Sequence, residues 1–166
     1  MSDLDLRRLP QLHPELPASE ASTLTFRAAH ALLRGTHTPG ATVSLDCDGA
    51  TSTGTLQWDA ATPDERALLD QKHLTEDGAY AVALVYAAER HGLRIRRRMQ
   101  EGEQADWLLR DPKSKASVAL EVGGTGGSAA AYVERKIEQV RKAMIARREA
   151  IVVGFGVCEL VHRRVA

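Results

Sequence analysis

The chain has 166 residues, and its 22 basic and 22 acidic side chains give a formal net charge of zero. Hydrophobic residues make up 43% of the sequence and charged residues 27%, which is typical of a folded globular domain and excludes a disordered or fibrous chain. The length suits a single domain with its own hydrophobic core. Zero net charge gives no support to a general polyanion binder, although a local basic face remains compatible with it.

Three features of the sequence bear on the cellular compartment. The opening residues MSDLDLRRLPQLHPELP are charged and proline-rich, and they lack the apolar stretch of a secretion signal. No apolar run reaches the length of a membrane span. Cys47 and Cys158 lie far apart, with no CxxC spacing and no Cys/His group that would indicate zinc, so we expect two free thiols. These observations predict a cytoplasmic protein with no membrane partner.

The N-terminal third is predicted to extend the main fold. Residues 1–18 contain three prolines and no periodicity, which predicts an irregular arm. Residues 19–60 are predicted to form a helix, capped by Ser19 or Ser22 and ended by Gly35, and then a β-hairpin. The hairpin turn is predicted at Asp48 and Gly49, because this pair favours a tight turn between alternating strands.

Residues 61–166 are predicted to form the core of the same single domain. A helix-start signal opens residues 62–74, with Thr62 as cap and Glu65 at the capping-box position. A second start at Thr75 precedes an apolar helix that stops at His91 and Gly92. The remaining predicted elements are strands at residues 93–99, 105–111 and 115–122, a flexible GGTGGS loop, a helix over residues 128–148 and a strand at residues 150–157.

From Thr75 onward the predicted order is therefore helix, strand, strand, strand, helix, strand. Three strands in a meander, followed by a helical crossover to a last strand, give a mixed sheet with helices on its faces. The predicted class is α/β.

Two of the acidic residues in these predicted strands, Asp106 and Glu121, lie where burial of a charge is costly. Asp106 is at the start of the second strand and Glu121 lies within the third, in the run VALEVGG. An antiparallel pairing of the two strands brings both carboxylates to one end of the pair. Adjacent carboxylates repel unless a cation neutralises them, and magnesium or manganese is the usual cation of an all-oxygen site. The sequence therefore predicts Mg²⁺ or Mn²⁺ at Asp106 and Glu121.

This acid pair and the order of elements resemble the PD-(D/E)XK nuclease superfamily, which has the restriction-endonuclease-like fold. The resemblance covers residues 75–156 and implies an αβββαβ core and metal-dependent hydrolysis of DNA or RNA phosphodiesters. It implies that Glu76 is the helix acid, Asp106 the strand aspartate and Glu121 the first letter of the (Asp/Glu)-x-Lys tripeptide, all three as metal ligands. The lysine of the tripeptide, which orients the attacking water in that family, is replaced here by Gly123.

The helix after the third strand offers a substitute for that lysine. Lys136 lies about 60–70° from the centre of the helix's apolar stripe, which is formed by Val133, Ile137, Val140 and Met144. Gln139 lies on the same flank as Lys136. We expect both to supply groups that stabilise charge. Two alternatives stay open: a catalytically degenerate nuclease fold that serves as a nucleic-acid- or protein-binding accessory module, and an unrelated α/β interaction protein whose acids are individually salt-bridged.

The basic run RIRRRM suggests a surface for nucleic acid. Alternation along a strand places Arg94, Arg96 and Arg98 on one face, where they would follow a phosphate backbone. A charged edge strand that resists aggregation explains the pattern equally well. Structural roles also remain open for the acids, since Asp106 can pair with Arg96 or Arg98, and Glu76 can stabilise a helix N-terminus. We further expect a homodimer or a subunit of a larger complex.

Overall fold

A computed structural model of the chain describes residues 3–63 and 70–166. Within these ranges the fold is mixed α/β, as predicted. The strands are β1 (Asp3–Asp5), β2 (Ala41–Cys47), β3 (Ala50–Gln57), β4 (Arg94–Arg98), β5 (Trp107–Arg110), β6 (Ser117–Thr125), β7 (Arg147–Gly154) and β8 (Glu159–Val165). The α-helices are α1 (Leu9–Leu12), α2 (Ala18–Arg34), α3 (Gln71–His91) and α4 (Val133–Val140). All eight strands form one sheet in the order β1-β3-β2-β8-β7-β6-β5-β4.

The N-terminal residues form an integral part of the fold, so the prediction of an irregular arm is wrong for residues 3–18. β1 pairs parallel with β3, and a 3-10 turn at Leu6–Arg8 leads into α1. Pro10 lies in the first turn of α1, where proline is tolerated because the backbone N–H there needs no helical partner. This segment is held by its buried leucines, which are Leu4, Leu6, Leu9, Leu12 and Leu16.

The helix and hairpin predicted for residues 19–60 are confirmed. α2 ends at Gly35 as expected, but it begins at Ala18 after Pro17, without a side-chain cap from either serine. β2 and β3 pair antiparallel across the turn at Asp48 and Gly49. Both turn residues have positive φ angles, 51° and 90°, as a two-residue hairpin turn of type I′ requires.

The buried helix α3 is the centre of the molecule. It begins at Gln71 and not at Thr75, because the Asp70 side chain caps it by accepting from the His73 amide. It ends at His91, with Gly92 in the left-handed conformation. The helix start predicted at Thr62 and Glu65 lies largely outside the described residues. α3 packs on β6 and against α2, and its residues 79–88 are buried, as their apolar character predicts.

The C-terminal third departs from prediction in three places. β6 runs on through two glycines to Thr125, so only the last part of GGTGGS is loop. α4 is shorter than residues 128–148 and leaves Met144 outside the helix, 97% exposed. An unpredicted strand, β8, pairs antiparallel with β7 and parallel with β2, and thereby joins the N-terminal hairpin to the rest of the sheet.

The two faces of the sheet carry separate hydrophobic clusters. On one face, α3 packs against strand residues that include Leu120 and Ile151. On the other, the buried stripe of α4 packs against Ala119, Ala150 and Val152. Side chains alternate along a strand, so Glu121 projects to the same face as Ala119, beneath α4. None of the helices in the described ranges is long and apolar enough to cross a membrane.

Candidate functional site

Strands β5 and β6 bring the two predicted acids to one end of their pair. Their antiparallel register sets Trp107 opposite Leu120. The Asp106 amide donates to the Leu120 carbonyl at 3.0 Å, so the pairing continues one residue further and places Asp106 beside Glu121. Asp106 also borders a cleft of about 280 Å³ whose lining includes Arg98, Gln104 and Gln139. The acid pair therefore lies next to a concave surface.

Two neutral donors hold the Asp106 carboxylate. The Tyr80 hydroxyl donates to Oδ1 at 3.0 Å and the Val122 amide donates to Oδ2 at 2.8 Å. Burial, followed by the negative charge of Asp106, raises the pKa of Tyr80, which keeps the phenol protonated as a donor. The arginines proposed as structural partners have other contacts, since Arg98 pairs with Glu20 and Arg96 donates to Ser117, both at 3.4 Å.

Glu121 is a buried acid paired with Lys136. Its side chain is 1% exposed, and Lys136 Nζ lies 2.8 Å from Oε1. The other oxygen, Oε2, is buried and has no hydrogen-bond partner among the residues that the structure describes. Burial and then the negative charge of Asp106 raise the pKa of Glu121 to about 7, against the opposing effect of Lys136. Burial disfavours the charge on Lys136, but its hydrogen bond to Glu121 holds the lysine pKa above its usual value.

Steric crowding explains why a glycine, Gly123, occupies the lysine position of the tripeptide. A Cβ atom on Gly123 would lie 3.0 Å from Cε of Lys136 and 2.9 Å from the ring of Tyr132. Both distances are shorter than ordinary van der Waals contact, so the helix side chains already fill the space that a strand side chain would enter. Gly123 is therefore the residue that permits Lys136 to reach Glu121.

The other two predicted site residues, Gln139 and Glu76, lie at the margin of the site formed by the acid pair. Gln139 is exposed on α4 and lines the same cleft as Asp106. Glu76 is exposed on α3, one turn before Tyr80 and on the same side of the helix. Among the described residues Glu76 does not form a group with Asp106 and Glu121 in which all three ligand atoms lie within 4.8 Å of one another. Its place is thus peripheral to the acid pair.

The three arginines do not share one face, so that prediction is wrong. The pairing of β4 with β5 shifts between Ile95 and Arg97, and this bulge interrupts the alternation of side chains. Arg94 and Arg96 line a cleft of about 500 Å³ together with Arg110 and Lys115. Arg98 lies instead over the rings of Tyr80 and Trp107, 4.9 Å and 4.8 Å from their centroids, beside the acid pair.

A second polar cluster was missed by sequence reasoning, which found no Cys/His group. Cys47 ends β2, His91 ends α3 and His162 lies in β8, and their ligand atoms all lie within 4.8 Å of one another. Cys47 and Cys158 are both free thiols, as predicted. The separation along the chain hides this cluster, and since β8 was not predicted, nothing placed His162 beside the hairpin.

No protein-family model, curated protein or solved structure matches the chain.

Proposed function

We propose that the chain is a metal-dependent, nuclease-like domain that hydrolyses phosphodiester bonds of DNA or RNA at Asp106, Glu121 and Lys136. The observation that carries this proposal is the path of Lys136, whose ammonium reaches Glu121 at 2.8 Å through the space beside Gly123. The family's tripeptide would deliver a lysine to this neighbourhood from the strand itself. The succession of α3, β4, β5, β6, α4 and β7 supports the resemblance, because it follows the family's αβββαβ order.

The donor atoms fit a hard divalent cation. Asp106 and Glu121 offer carboxylate oxygens, which Mg²⁺ and Mn²⁺ prefer. Within the described part of the chain, Glu121 Oε2 is buried and has no hydrogen-bond partner, a costly condition that a cation would relieve. When bound, such an ion would polarise a phosphoryl oxygen and lower the pKa of a bound water. Exposed Glu76, one helical turn from Tyr80, is positioned to contribute through water.

The surrounding groups prepare the site electrostatically. The hydrogen bonds from Tyr80 and Val122 fix the direction of the Asp106 carboxylate. The side chain of Lys136 is 17% exposed, and a partly desolvated cation stabilises negative charge on a reacting phosphate more strongly than one in bulk water. Gln139 and Arg98 line the adjoining cleft and are available to bind the nucleic-acid backbone.

The proposal is tested with plasmid DNA, single-stranded DNA and single-stranded RNA, each with Mg²⁺ or Mn²⁺. We expect cleavage that falls about 10²-fold or more in Asp106→Asn, Glu121→Gln and Lys136→Met, because each removes a charge that the reaction uses. Matched controls on exposed positions of the same region, Lys142→Met and Glu134→Gln, should retain activity. Circular dichroism confirms that each variant is folded.

Cleavage that survives all three substitutions in folded protein would disprove this assignment. Nucleic-acid binding without cleavage in the unmodified chain, unaffected by Asp106→Asn and Glu121→Gln, would instead support the accessory-module alternative. Neither cleavage nor binding, together with no thermal stabilisation by Mn²⁺, would leave the acids with a purely structural role.

A further inference from the structure

The cluster of Cys47, His91 and His162 lies apart from the acid pair. Its residues come from β2, α3 and β8, whereas Asp106 directly precedes β5 and Glu121 lies in β6, and β7 separates β8 from β6 in the sheet. On α3, His91 is at the C-terminal end and Tyr80, the partner of Asp106, is three turns earlier. The proposed nuclease chemistry uses none of these three side chains.

The geometry points to a binding site for a zinc-type divalent transition metal ion, held by Cys47, His91 and His162. A thiolate and two imidazoles form a donor set that zinc prefers and that magnesium does not. Sγ of Cys47 lies 3.4 Å from Nδ1 of His162. Sulfur and nitrogen ligands on one tetrahedral zinc lie about 3.6 Å apart, given the usual bond lengths, so this pair is already at ligand spacing.

The groups behind His162 orient it for metal binding. Its Nε2 lies 2.9 Å from Oε2 of Glu149, a carboxylate that is 1% exposed and whose Oε1 lies 3.0 Å from Arg147. The carboxylate accepts a hydrogen bond, so it places the imidazole proton on Nε2 and leaves the Nδ1 lone pair facing Cys47. A carboxylate behind the ligating histidine is a recurrent arrangement in metal sites, where it fixes the tautomer.

The cluster is partly open to solvent. Cys47 and His91 are half-buried while His162 is fully buried, so the cluster opens outward from the histidine. The Tyr86 hydroxyl lies 3.1 Å from His91 and 3.2 Å from His162, positioned to bond a water in the fourth coordination position. The guanidinium of Arg164 lies 3.9 Å from Sγ of Cys47, so a positive charge borders the sulfur ligand.

A nucleophilic cysteine is the competing interpretation, because Cys47, His162 and Glu149 stand in the order thiol, imidazole, carboxylate. That arrangement gives no role to His91, which also meets His162 with a ring separation of 4.9 Å. A metal ion uses all three side chains. It would also join the N-terminal hairpin, the central helix and the C-terminal strand, so its expected role is to stabilise the fold.

The test is a titration of the tag-free, chelator-treated full chain with Co²⁺ and Zn²⁺. We expect one equivalent of Co²⁺ to produce a sulfur-to-cobalt charge-transfer band and the visible bands of a tetrahedral ion, both displaced by Zn²⁺. A hundredfold excess of free Zn²⁺ over its Kd should raise the Tm by about 5–10 °C. Cys47→Ser and His91→Gln should abolish the bands and the shift, while Cys158→Ser and exposed His73→Gln should keep them.

Folded protein that binds no stoichiometric cobalt would overturn the proposal, and so would a tetrahedral spectrum that persists in both Cys47→Ser and His91→Gln. Covalent labelling of Cys47 by an ester or thioester substrate would favour the nucleophile. Asp106→Asn should bind cobalt normally, so this result stands or falls independently of the nuclease assay.

Discussion

Glu121 makes the acid site sensitive to pH in the metal-free protein. Burial and then Asp106 raise its folded pKa to about 7, above the 4.5 of a free glutamate. The folded state therefore binds more protons between these values, and the stability this provides is complete below about pH 4.5 and lost as the pH rises through 7. We expect Glu121→Gln to remove this loss, which is on the order of 2–3 kcal/mol.

The measurement is urea unfolding of both proteins from pH 5 to pH 8 in the presence of a chelator. Parallel pH profiles for the two proteins would show that Glu121 ionises normally.

A second prediction at the scale of single residues concerns the substitution of Gly123. A methyl group at this position would press on the Tyr132 ring and on Cε of Lys136. We expect Gly123→Ala to destabilise the fold by about 1–3 kcal/mol through overpacking, and to lower any cleavage activity by displacing the lysine. Gly126→Ala is the control, because among the described residues its added carbon would meet only a Gln71 side-chain nitrogen, at 3.8 Å. Equal stability and activity in both variants would contradict this account of the glycine.

At the scale of single residues, strand pairing is what allowed the sequence to predict the acid pair. Alternation and a tight turn sufficed to bring Asp106 beside Glu121, because both lie in regular antiparallel structure. The prediction that the three arginines share one face is wrong because of a single β-bulge, which has no clear sequence signal. The bulge turns the Arg98 side chain to the opposite face of the strand. The cluster of Cys47, His91 and His162 was not predicted for a different reason, because it depends on three contacts between residues far apart in the sequence.

Helix α4 carries Lys136 although it has only eight residues. So short a helix gains little from its own hydrogen bonds and depends on packing of its apolar side. Three of the four residues in the predicted stripe are buried, and the fourth, Met144, is not, because the chain leaves the helix before it and enters β7 at Arg147. Periodicity alone could not locate this end, since the run of residues 128–148 lacks a proline or glycine to stop a helix.

This dependence on packing can be tested at Ile137, which is 8% exposed. Ile137→Ala should destabilise the protein by about 2–4 kcal/mol and also reduce any cleavage, since a loosened α4 no longer fixes Lys136. Met144→Ala, at 97% exposure, removes an aliphatic side chain from the same predicted stripe and should change neither quantity. Urea unfolding and the cleavage assay measure both. A large effect of Met144→Ala, or none of Ile137→Ala, would show that the helix packs differently.

At the scale of the whole molecule, His13 connects the N-terminal segment to the central helix α3 and to β4. This side chain is fully buried, with Nε2 2.7 Å from the Leu84 carbonyl of α3 and Nδ1 accepting from the Ile95 amide of β4 at 3.0 Å. Sequence patterns do not predict this contact, because His13 lies in a proline-rich segment without hydrophobic periodicity. The imidazole must stay neutral to accept from Ile95, and burial, as the largest cause, lowers its pKa.

The consequence is a loss of stability in acid. A folded pKa below the free value of 6.5 means that the unfolded chain binds the extra proton first, so the contribution of His13 is present above pH 6.5 and lost as the pH falls toward the folded pKa. Glu121 acts in the opposite direction, so the comparison is made in the Glu121→Gln background. In that background, His13→Gln should lower stability at pH 7 and flatten the decline in stability toward pH 5, because the amide cannot be protonated.

Exposed His73→Gln is the control and should leave this decline in stability intact. Hydrogen exchange at the Ile95 amide should quicken on acidification only where His13 is present. An unchanged decline in His13→Gln would assign the acid sensitivity to other groups, of which His91, whose pKa burial also lowers, is the next to test.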